Sequence, residues 1–230
     1  MKGLFLGDCM ELFSKVEDNS VDLIITSPPY NLGNNHHTGT VSHKAYDDNM
    51  NEKEYQDWQT RVLDECHRVL RDDGSLFYNH KNRIKNGRQI TPYEWIFKSK
   101  LIIKQEIVWI NRSQNFDKIR FYPFTERIYW LVKNEKTKLT NTISHHDVFD
   151  WKEWKPRGIK GEHKRAFPRQ LVSDIISCFP KSKVIMDPFC GSGTTLLVAQ
   201  EKGKDYIGFE IMEKYYSLSK NKLKNEKRKP

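Results

Sequence analysis

Cysteine is scarce. Cys9, Cys66, Cys178 and Cys190 are the four in 230 residues, and no two form a CxxC pair. In a chain without a secretory signature this predicts reduced thiols and argues against a disulfide framework. Metal-ligand patterns are lacking too: His36-His37 and His145-His146 are adjacent pairs without helical spacing or neighbouring cysteines, so no metal is expected. No apolar run approaches the ~20 residues that span a bilayer. Asp8 and Glu11 interrupt the stretch after Lys2 that a signal peptide would keep apolar. The expectation is a cytoplasmic protein with no membrane segment. Internal repeats and a convincing interdomain linker are also missing, so residues 1–230 read as one domain, long enough to bury a substantial core.

Positive charge is in surplus. Lys and Arg number 39 against 30 Asp and Glu, a formal +9, with a sequence pI near 9.2. A basic surface alone names no partner, but the charges are unevenly spread. Lys81, Arg83, Lys85 and Arg88 form one cluster. A second, Lys152, Lys155, Arg157, Lys160, Lys164, Arg165 and Arg169, is interleaved with Trp151, Trp154 and Phe167. Cations suit phosphates and aromatic rings stack on bases, so this cluster points to nucleic acid, with an ordinary exposed loop as the competing account.

The apolar pattern alternates between strand-like and helix-like segments. Strands are expected at 3–6, 21–26, 75–79, 102–110, 126–132, 184–187 and 205–210. Helices are expected at 10–16, 54–70, from Thr91 onward, and at 168–178, 194–202 and 213–224. Asp72-Asp73-Gly74 reads as the turn into the third strand. Thr91-Pro92-Tyr93-Glu94 reads as threonine N-cap, proline at the first helical position and glutamate completing the box. Residues 31–50 read as a long polar loop, a lid or a disordered stretch. Such alternation predicts an α/β fold: a mostly parallel sheet with helices on both faces.

Two segments carry chemistry, each following an apolar run. Around Gly191 and Gly193 the grammar is strand, tight turn, helix, which lets backbone approach a ligand and offers it free N–H groups. The next strand ends at Glu210, about twenty residues on, where an acid can accept hydrogen bonds from ribose hydroxyls. The lysine of a GxxxxGK[ST] phosphate loop is absent, so a cofactor with ribose but no required phosphate fits. Asp187 stands ready either to engage an amine-bearing group or to cap the turn. At the other end, Ser27-Pro28-Pro29-Tyr30 places a hydroxyl, a fixed carbonyl and an aromatic ring just after a strand.

Ser27-Pro28-Pro29-Tyr30 and the stretch Asp187-Pro188-Phe189-Cys190-Gly191-Ser192-Gly193 resemble the catalytic and S-adenosyl-L-methionine motifs of amino-methylating DNA methyltransferases. Their order resembles the circularly permuted β group, and with it a Rossmann-like methyltransferase fold of permuted motif order. Gly7-Asp8-Cys9 resembles the motif whose acid contacts the cofactor's adenine. Asp73-Gly74-Ser75-Leu76-Phe77 resembles the turn and strand after the catalytic region, and His163–Pro168 occupies the place of a cofactor-pocket segment, with Phe167 near the methionine portion. The resemblance implies a cofactor site of Asp8, Cys9, Phe167, Asp187, Phe189, Gly191, Ser192, Gly193, Thr194 and Glu210. Ser27, Pro28, Pro29 and Tyr30 would form the catalytic segment, and Lys81, Arg83, Arg112, Lys155, Arg157 and Lys160 would contact DNA. A recognition insert is expected within about 111–165, where Gln114 and Asn115 also have side chains able to read base edges. Double-stranded DNA is the implied partner, with a second copy of the chain and a companion restriction endonuclease as further candidates.

An exocyclic amine conjugated to a base is a poor nucleophile. Accepting its hydrogen bonds through Ser27 and the Pro28 carbonyl would localise its lone pair toward the sulfonium methyl, while Tyr30 offers a face to a flipped base. Carbon-5 chemistry needs a cysteine after proline in that family, and none of the four qualifies. In the resembled family, serine at the first motif position is commoner for cytosine N4, and aspartate or asparagine for adenine N6. The expected reaction is therefore N4-cytosine methylation, with N6-adenine methylation as the alternative. A DNA-binding protein with a vestigial cofactor fold, or an RNA or protein methyltransferase, are the readings from other classes.

Overall fold

The computed structural model describes residues 1–33, 48–112, 118–141, 146–150 and 168–226. Within them the strands are β1 (Gly3–Leu6), β2 (Val21–Thr26), β3 (Leu70–His80), β4 (Arg83–Lys85), β5 (Arg88–Ile90), β6 (Ile102–Trp109), β7 (Glu126–Val132), β8 (Val148–Phe149), β9 (Val184–Asp187) and β10 (Asp205–Glu210). The helices are α1 (Cys9–Phe13), α2 (Glu52–Val69), α3 (Tyr93–Ile96), α4 (Arg169–Cys178), α5 (Thr194–Glu201) and α6 (Glu213–Glu226). Eight strands form one sheet in the order β1-β10-β9-β2-β3-β7-β6-β8. The first five run parallel; β7 is antiparallel to both β3 and β6.

Alternation along the strands explains why helices cover both faces. Ile24, Leu76 and Met186 pack with Phe13, Val62, Leu63 and Cys66 from α1 and α2. Their neighbours Leu23, Ile25, Phe77 and Ile185 point the other way, onto Leu171, Val172, Ile175 and Val198 from α4 and α5. A strand buried on both faces need not alternate, which is why Leu23, Ile24 and Ile25 of β2 are consecutive apolar residues. Gly208 lets α5 lie close to β10: a Cβ there would stand 2.3 Å from Leu196 Cδ1. No described helix is long and apolar enough to cross a membrane.

The structure corrects several local expectations. β3 starts at Leu70, ahead of the expected Asp72-Asp73-Gly74 turn, and its register against β2 jumps from Val21↔Leu70 to Leu23↔Ser75. Residues 71–74 therefore bulge from an extended strand rather than turning the chain. Of the basic cluster Lys81, Arg83, Lys85 and Arg88, the last three lie on a hairpin, β4–β5, turned by Asn86 and Gly87 with φ of 51° and 75°; Asn-Gly is the usual signal for such a turn. α3 is a single turn opening at Pro92, with no side chain capping it. Half of the expected box survives, since Glu94 Oε1 accepts the Thr91 N–H at 3.2 Å. Within the expected recognition span 111–165, β7 lies inside the sheet between β3 and β6.

Candidate active site

Parallel strands aim their carboxyl ends at one edge, and a ligand crevice forms where loops leave that edge. Here the carboxyl ends of β1, β10, β9 and β2, four neighbouring strands, and the loops leaving them carry Asp8, Glu210, Asp187–Gly193 and Ser27–Tyr30 respectively. Segments at opposite ends of the chain are thereby brought to one crevice. The Gly7 N–H donates to the Glu210 carbonyl at 3.0 Å, and the Cys190 N–H to the Phe209 carbonyl at 2.9 Å.

On the β9 side, Gly191 and Gly193 take φ of 50° and 79°, values that disfavour side chains. They differ in what surrounds them. A Cβ on Gly193 would meet Ser219 Oγ at 2.8 Å, so that glycine is needed for packing against α6. Among the described residues, a Cβ on Gly191 would find only the Phe189 carbonyl at 4.0 Å, which leaves room there for a ligand. Ser192 is buried, Thr194 begins α5, and no side chain among the described residues caps that helix. Phe189 meets Trp58 of α2 edge-on at 5.7 Å.

Asp187 is 3% exposed. Burial pushes its carboxyl up to about 6, against hydrogen bonds from Thr26, Phe189 and Thr195. Thr26 Oγ1 donates to Oδ1 at 2.7 Å and the Phe189 N–H at 3.1 Å. The expected turn-capping role is thus present, and the carboxylate remains at the crevice edge. Burial also raises the Glu210 carboxyl, opposed by backbone N–H groups, among them that of Met212 on Oε1 at 2.7 Å. Asp8 caps α1 by accepting the Met10 N–H at 2.8 Å. Cys9 and Cys190 are buried and burial raises both thiols, Cys9 to about 12, so neither is a nucleophile at neutral pH. Phe167 lies outside the described residues.

The Ser27–Tyr30 segment is held by partners the sequence did not announce. Ser27 Oγ and the Tyr30 hydroxyl are 2.7 Å apart. Tyr30 Oη donates toward Asn79 Oδ1 at 2.8 Å and stands 3.2 Å from Glu126 Oε2. Its ring lies 4.5 Å from that of His80. The Tyr55 hydroxyl, on α2, is 2.7 Å from both the Pro29 carbonyl oxygen and His80 Nε2. Among the described residues none donates to the Pro28 carbonyl, whereas the Pro29 carbonyl is engaged by Tyr55. Burial holds His80 neutral, lowering it to about 3. Glu126 reaches this edge because β7 runs antiparallel to β3, with His80 opposite Arg127. Nothing local in the sequence marks Glu126 or Asn79 as site residues.

The expected DNA contacts fare differently. Arg83 is a correction: it is 5% exposed and forms a two-pronged pair with Glu52 at 2.8 and 2.9 Å. Its guanidinium also lies 4.7 Å from the Tyr55 ring centre and 5.6 Å from that of Trp95. It is buried with its charge matched, and supports α2 rather than facing a phosphate. Burial would raise the Glu52 carboxyl, but hydrogen bonds from Arg83 and Gln56 more than offset this and leave it below its ordinary value. Arg83→Ala is expected to destabilise the protein by about 2–4 kcal/mol, because it strips a packed guanidinium and leaves a partly buried carboxylate. Urea unfolding checks this, and a loss below about 0.5 kcal/mol would return Arg83 to the surface class. Arg112 is ion-paired with Asp150. Lys81 sits over the Tyr30 ring at 5.9 Å, at the mouth of the catalytic segment. Lys155, Arg157 and Lys160 lie outside the described residues, as do Gln114 and Asn115. Among the described residues no group of His, Cys, Asp and Glu is arranged to hold a metal ion.

Known proteins share this architecture. The type II methyltransferase M.BglII of Bacillus subtilis is 26% identical over 258 residues, covering 97% of this chain and 69% of its own. The DNA adenine methyltransferase YhdJ of Escherichia coli (strain K12) is 28% identical, covering 96% of this chain and 82% of its own. Among solved structures, the PvuII DNA methyltransferase (cytosine-N4-specific) superposes with a TM-score of 0.75 at 20% identity, over 96% of this chain and 86% of that one. The M1.HpyAVI–SAM complex superposes with a TM-score of 0.68 at 20% identity, over 97% of this chain and 99% of that one. These likenesses carry the fold, and the α/β Rossmann-like sheet expected from the sequence is what the structure has. The model of the N6/N4 family of DNA methylases matches residues 21–221, and the chain belongs to that family: it is a DNA methyltransferase.

Proposed function

We propose that the protein transfers a methyl group from S-adenosyl-L-methionine to the exocyclic N4 amine of cytosine in duplex DNA. The choice of base rests on Ser27 at the head of the catalytic segment, the residue that the resemblance associates with cytosine N4; beside it the Pro28 carbonyl, which no described residue engages, would serve either amine. An amine has two N–H groups, and these two oxygens give each an acceptor. Relatives include an adenine enzyme, so family membership does not choose the base, and N6-adenine methylation is the second reading.

The residues present fit the cofactor. Gly191 leaves open space where a Cβ would stand, and Asp187 and Glu210 bring two carboxylates to the same edge. Asp187 would face the amino group, Glu210 the ribose hydroxyls, Asp8 the adenine, and Gly191, Ser192, Gly193 and Thr194 would line the approach. When bound, S-adenosylmethionine supplies a sulfonium methyl: the N–C bond forms as the S–C bond breaks, its electron pair stays on sulfur, and the base nitrogen releases one proton to water. Ser27 and Pro28 orient the amine lone pair. Tyr30, its ring tilted 43° to that of buried His80, offers the flipped base a face, and the rate comes from positioning and electrostatics.

The order of segments, catalytic before cofactor, fits the permuted β group. Between β6 and β7, Ile119 and Phe121 are 89% and 103% exposed and flanked by Lys118 and Arg120, which fits a DNA-facing loop beside Glu126. Lys81, Lys155, Arg157 and Lys160 would contact phosphates. A second copy of the chain would extend the recognition surface, and type II relatives fit a companion restriction endonuclease. Digesting methylated duplex DNA to nucleosides and weighing them by mass spectrometry tests the reading. N4-methylcytosine is expected; N6-methyladenine would replace it by the second reading, and 5-methylcytosine would overturn both.

A further inference from the structure

The hydrogen bonds around Tyr30 run in one direction only. A phenol has a single hydrogen. On one side of the Tyr30 hydroxyl stands Ser27 Oγ at 2.7 Å; on the other stand Asn79 Oδ1 at 2.8 Å and Glu126 Oε2 at 3.2 Å. Both acceptors are themselves held. Asn79, 2% exposed, donates its amide to the Arg127 carbonyl at 2.9 Å, which turns its oxygen toward Tyr30. Asn111 Nδ2 donates to Glu126 Oε1 at 2.9 Å, and the Asn79 side chain is also hydrogen-bonded to this carboxylate, whose Oε2 faces Tyr30.

The tyrosine hydrogen therefore goes to the Asn79–Glu126 side, and Ser27 must donate to the tyrosine oxygen. A protonated Glu126 would not reverse this, because it would donate to Tyr30 while Tyr30 donated to Asn79. A serine that has committed its only hydrogen has nothing but lone pairs left for the crevice.

We propose that Asn79 and Glu126, acting through the Tyr30 hydroxyl, set the direction of the Ser27 hydroxyl and so make its oxygen a dedicated acceptor for the base amine. This rests on the reading that Ser27 accepts from that amine. Asn79 and Glu126 are positioning residues: their reach to the base is through Tyr30 and Ser27. A free serine hydroxyl spends part of its time donating, and an amine facing a donor keeps its lone pair engaged with the ring or with that donor. Strand pairing is what brings the acceptors in. Asn79 lies opposite Ile128 on β7, so Glu126, two residues away, falls on the same face as Asn79. Glu126 lies opposite Trp109 on β6, and Asn111, again two residues away, comes to that face too.

The test is a cycle of single-turnover methylation rates on substrate duplex, with the full chain and saturating cofactor. Tyr30→Phe keeps the ring and removes the hydroxyl; it is expected to lower the rate about tenfold or more while DNA affinity stays within about threefold. In a Ser27→Ala background the same change is expected to cost less than about twofold, because no hydroxyl remains to direct. Asn79→Ala/Glu126→Ala is expected to mirror both results, and if it fails to fold the Tyr30→Phe pair decides. Equal losses with and without Ser27 would assign Tyr30 a structural or stacking role and overturn the proposal. So would a wild-type rate for Tyr30→Phe, or for a folded Asn79→Ala/Glu126→Ala. If Ser27→Ala itself runs at the wild-type rate, the reading of Ser27 fails first.

Discussion

Ser27→Ala is expected to lower the methyl-transfer rate by about 10²–10³-fold, the usual cost of deleting one preorganised hydrogen-bond partner of a reacting group. The Pro28 carbonyl would remain, so one N–H of the amine would still be accepted, and residual turnover follows. Cofactor affinity is expected to hold within about twofold, because the carboxylates and glycines that would bind it leave β1, β9 and β10, whereas Ser27 follows β2. Burial is not at stake either: alanine fills nearly the same volume, and the Tyr30 hydroxyl keeps Asn79 Oδ1 as its acceptor at 2.8 Å. Single-turnover kinetics beside calorimetric cofactor binding separates the two effects. A wild-type rate would remove Ser27 from the chemistry, and loss of cofactor binding with intact turnover would move it to the other half of the site.

The second large effect concerns Asp187, where function and stability pull apart. Its carboxyl is raised to about 6 by burial, against an unfolded value near 3.9. A folded-state value above the unfolded one means that the native protein binds the extra proton between about pH 4 and 6. Stability therefore falls as pH rises through that window, and the whole deficit is present at neutral pH. At ~1.4 kcal/mol per unit, the ionised carboxylate costs about 2–3 kcal/mol at pH 7–8. Asp187→Asn keeps an oxygen to accept from Thr26 and the Phe189 N–H, and removes the charge. The variant without cofactor is expected to melt about 5–10 °C higher at pH 8, a gain that shrinks as pH falls toward 4. Affinity for S-adenosylmethionine should drop at least tenfold, since no anion remains to meet its ammonium group. Melting curves at pH 8 and 5, with calorimetry at pH 8, check both halves. A lower melting point at pH 8 would show that Asp187 is paid for by contacts other than the ligand's.

Much of the scaffold was written locally. The periodic apolar runs marked β2, β7, β9 and β10 at their observed bounds, and α2, α4, α5 and α6 to within two residues. The Asp187–Thr194 turn and the Ser27–Tyr30 segment were legible because glycine and proline constrain backbone wherever they stand. Asn86-Gly87 is a local hairpin signal that lies within the basic cluster. Arg83 was misassigned for a deeper reason: a lone arginine in a basic run looks the same whether it faces water or a buried carboxylate, and Glu52 is 31 residues away in the chain.

The sequence by itself determined the two chemical segments, their order and the alternation that buries both faces of the sheet, because each depends on neighbours a few residues apart. Tertiary structure decided what those segments work with. It set β9 beside β2, so that the cofactor and catalytic segments share one edge, and it brought Asn79, Asn111 and Glu126 around Tyr30. That assembly depends on strand register, in which a slip of one residue would turn Glu126 to the opposite face. Register is fixed by packing over the whole sheet, and no short window of sequence contains it.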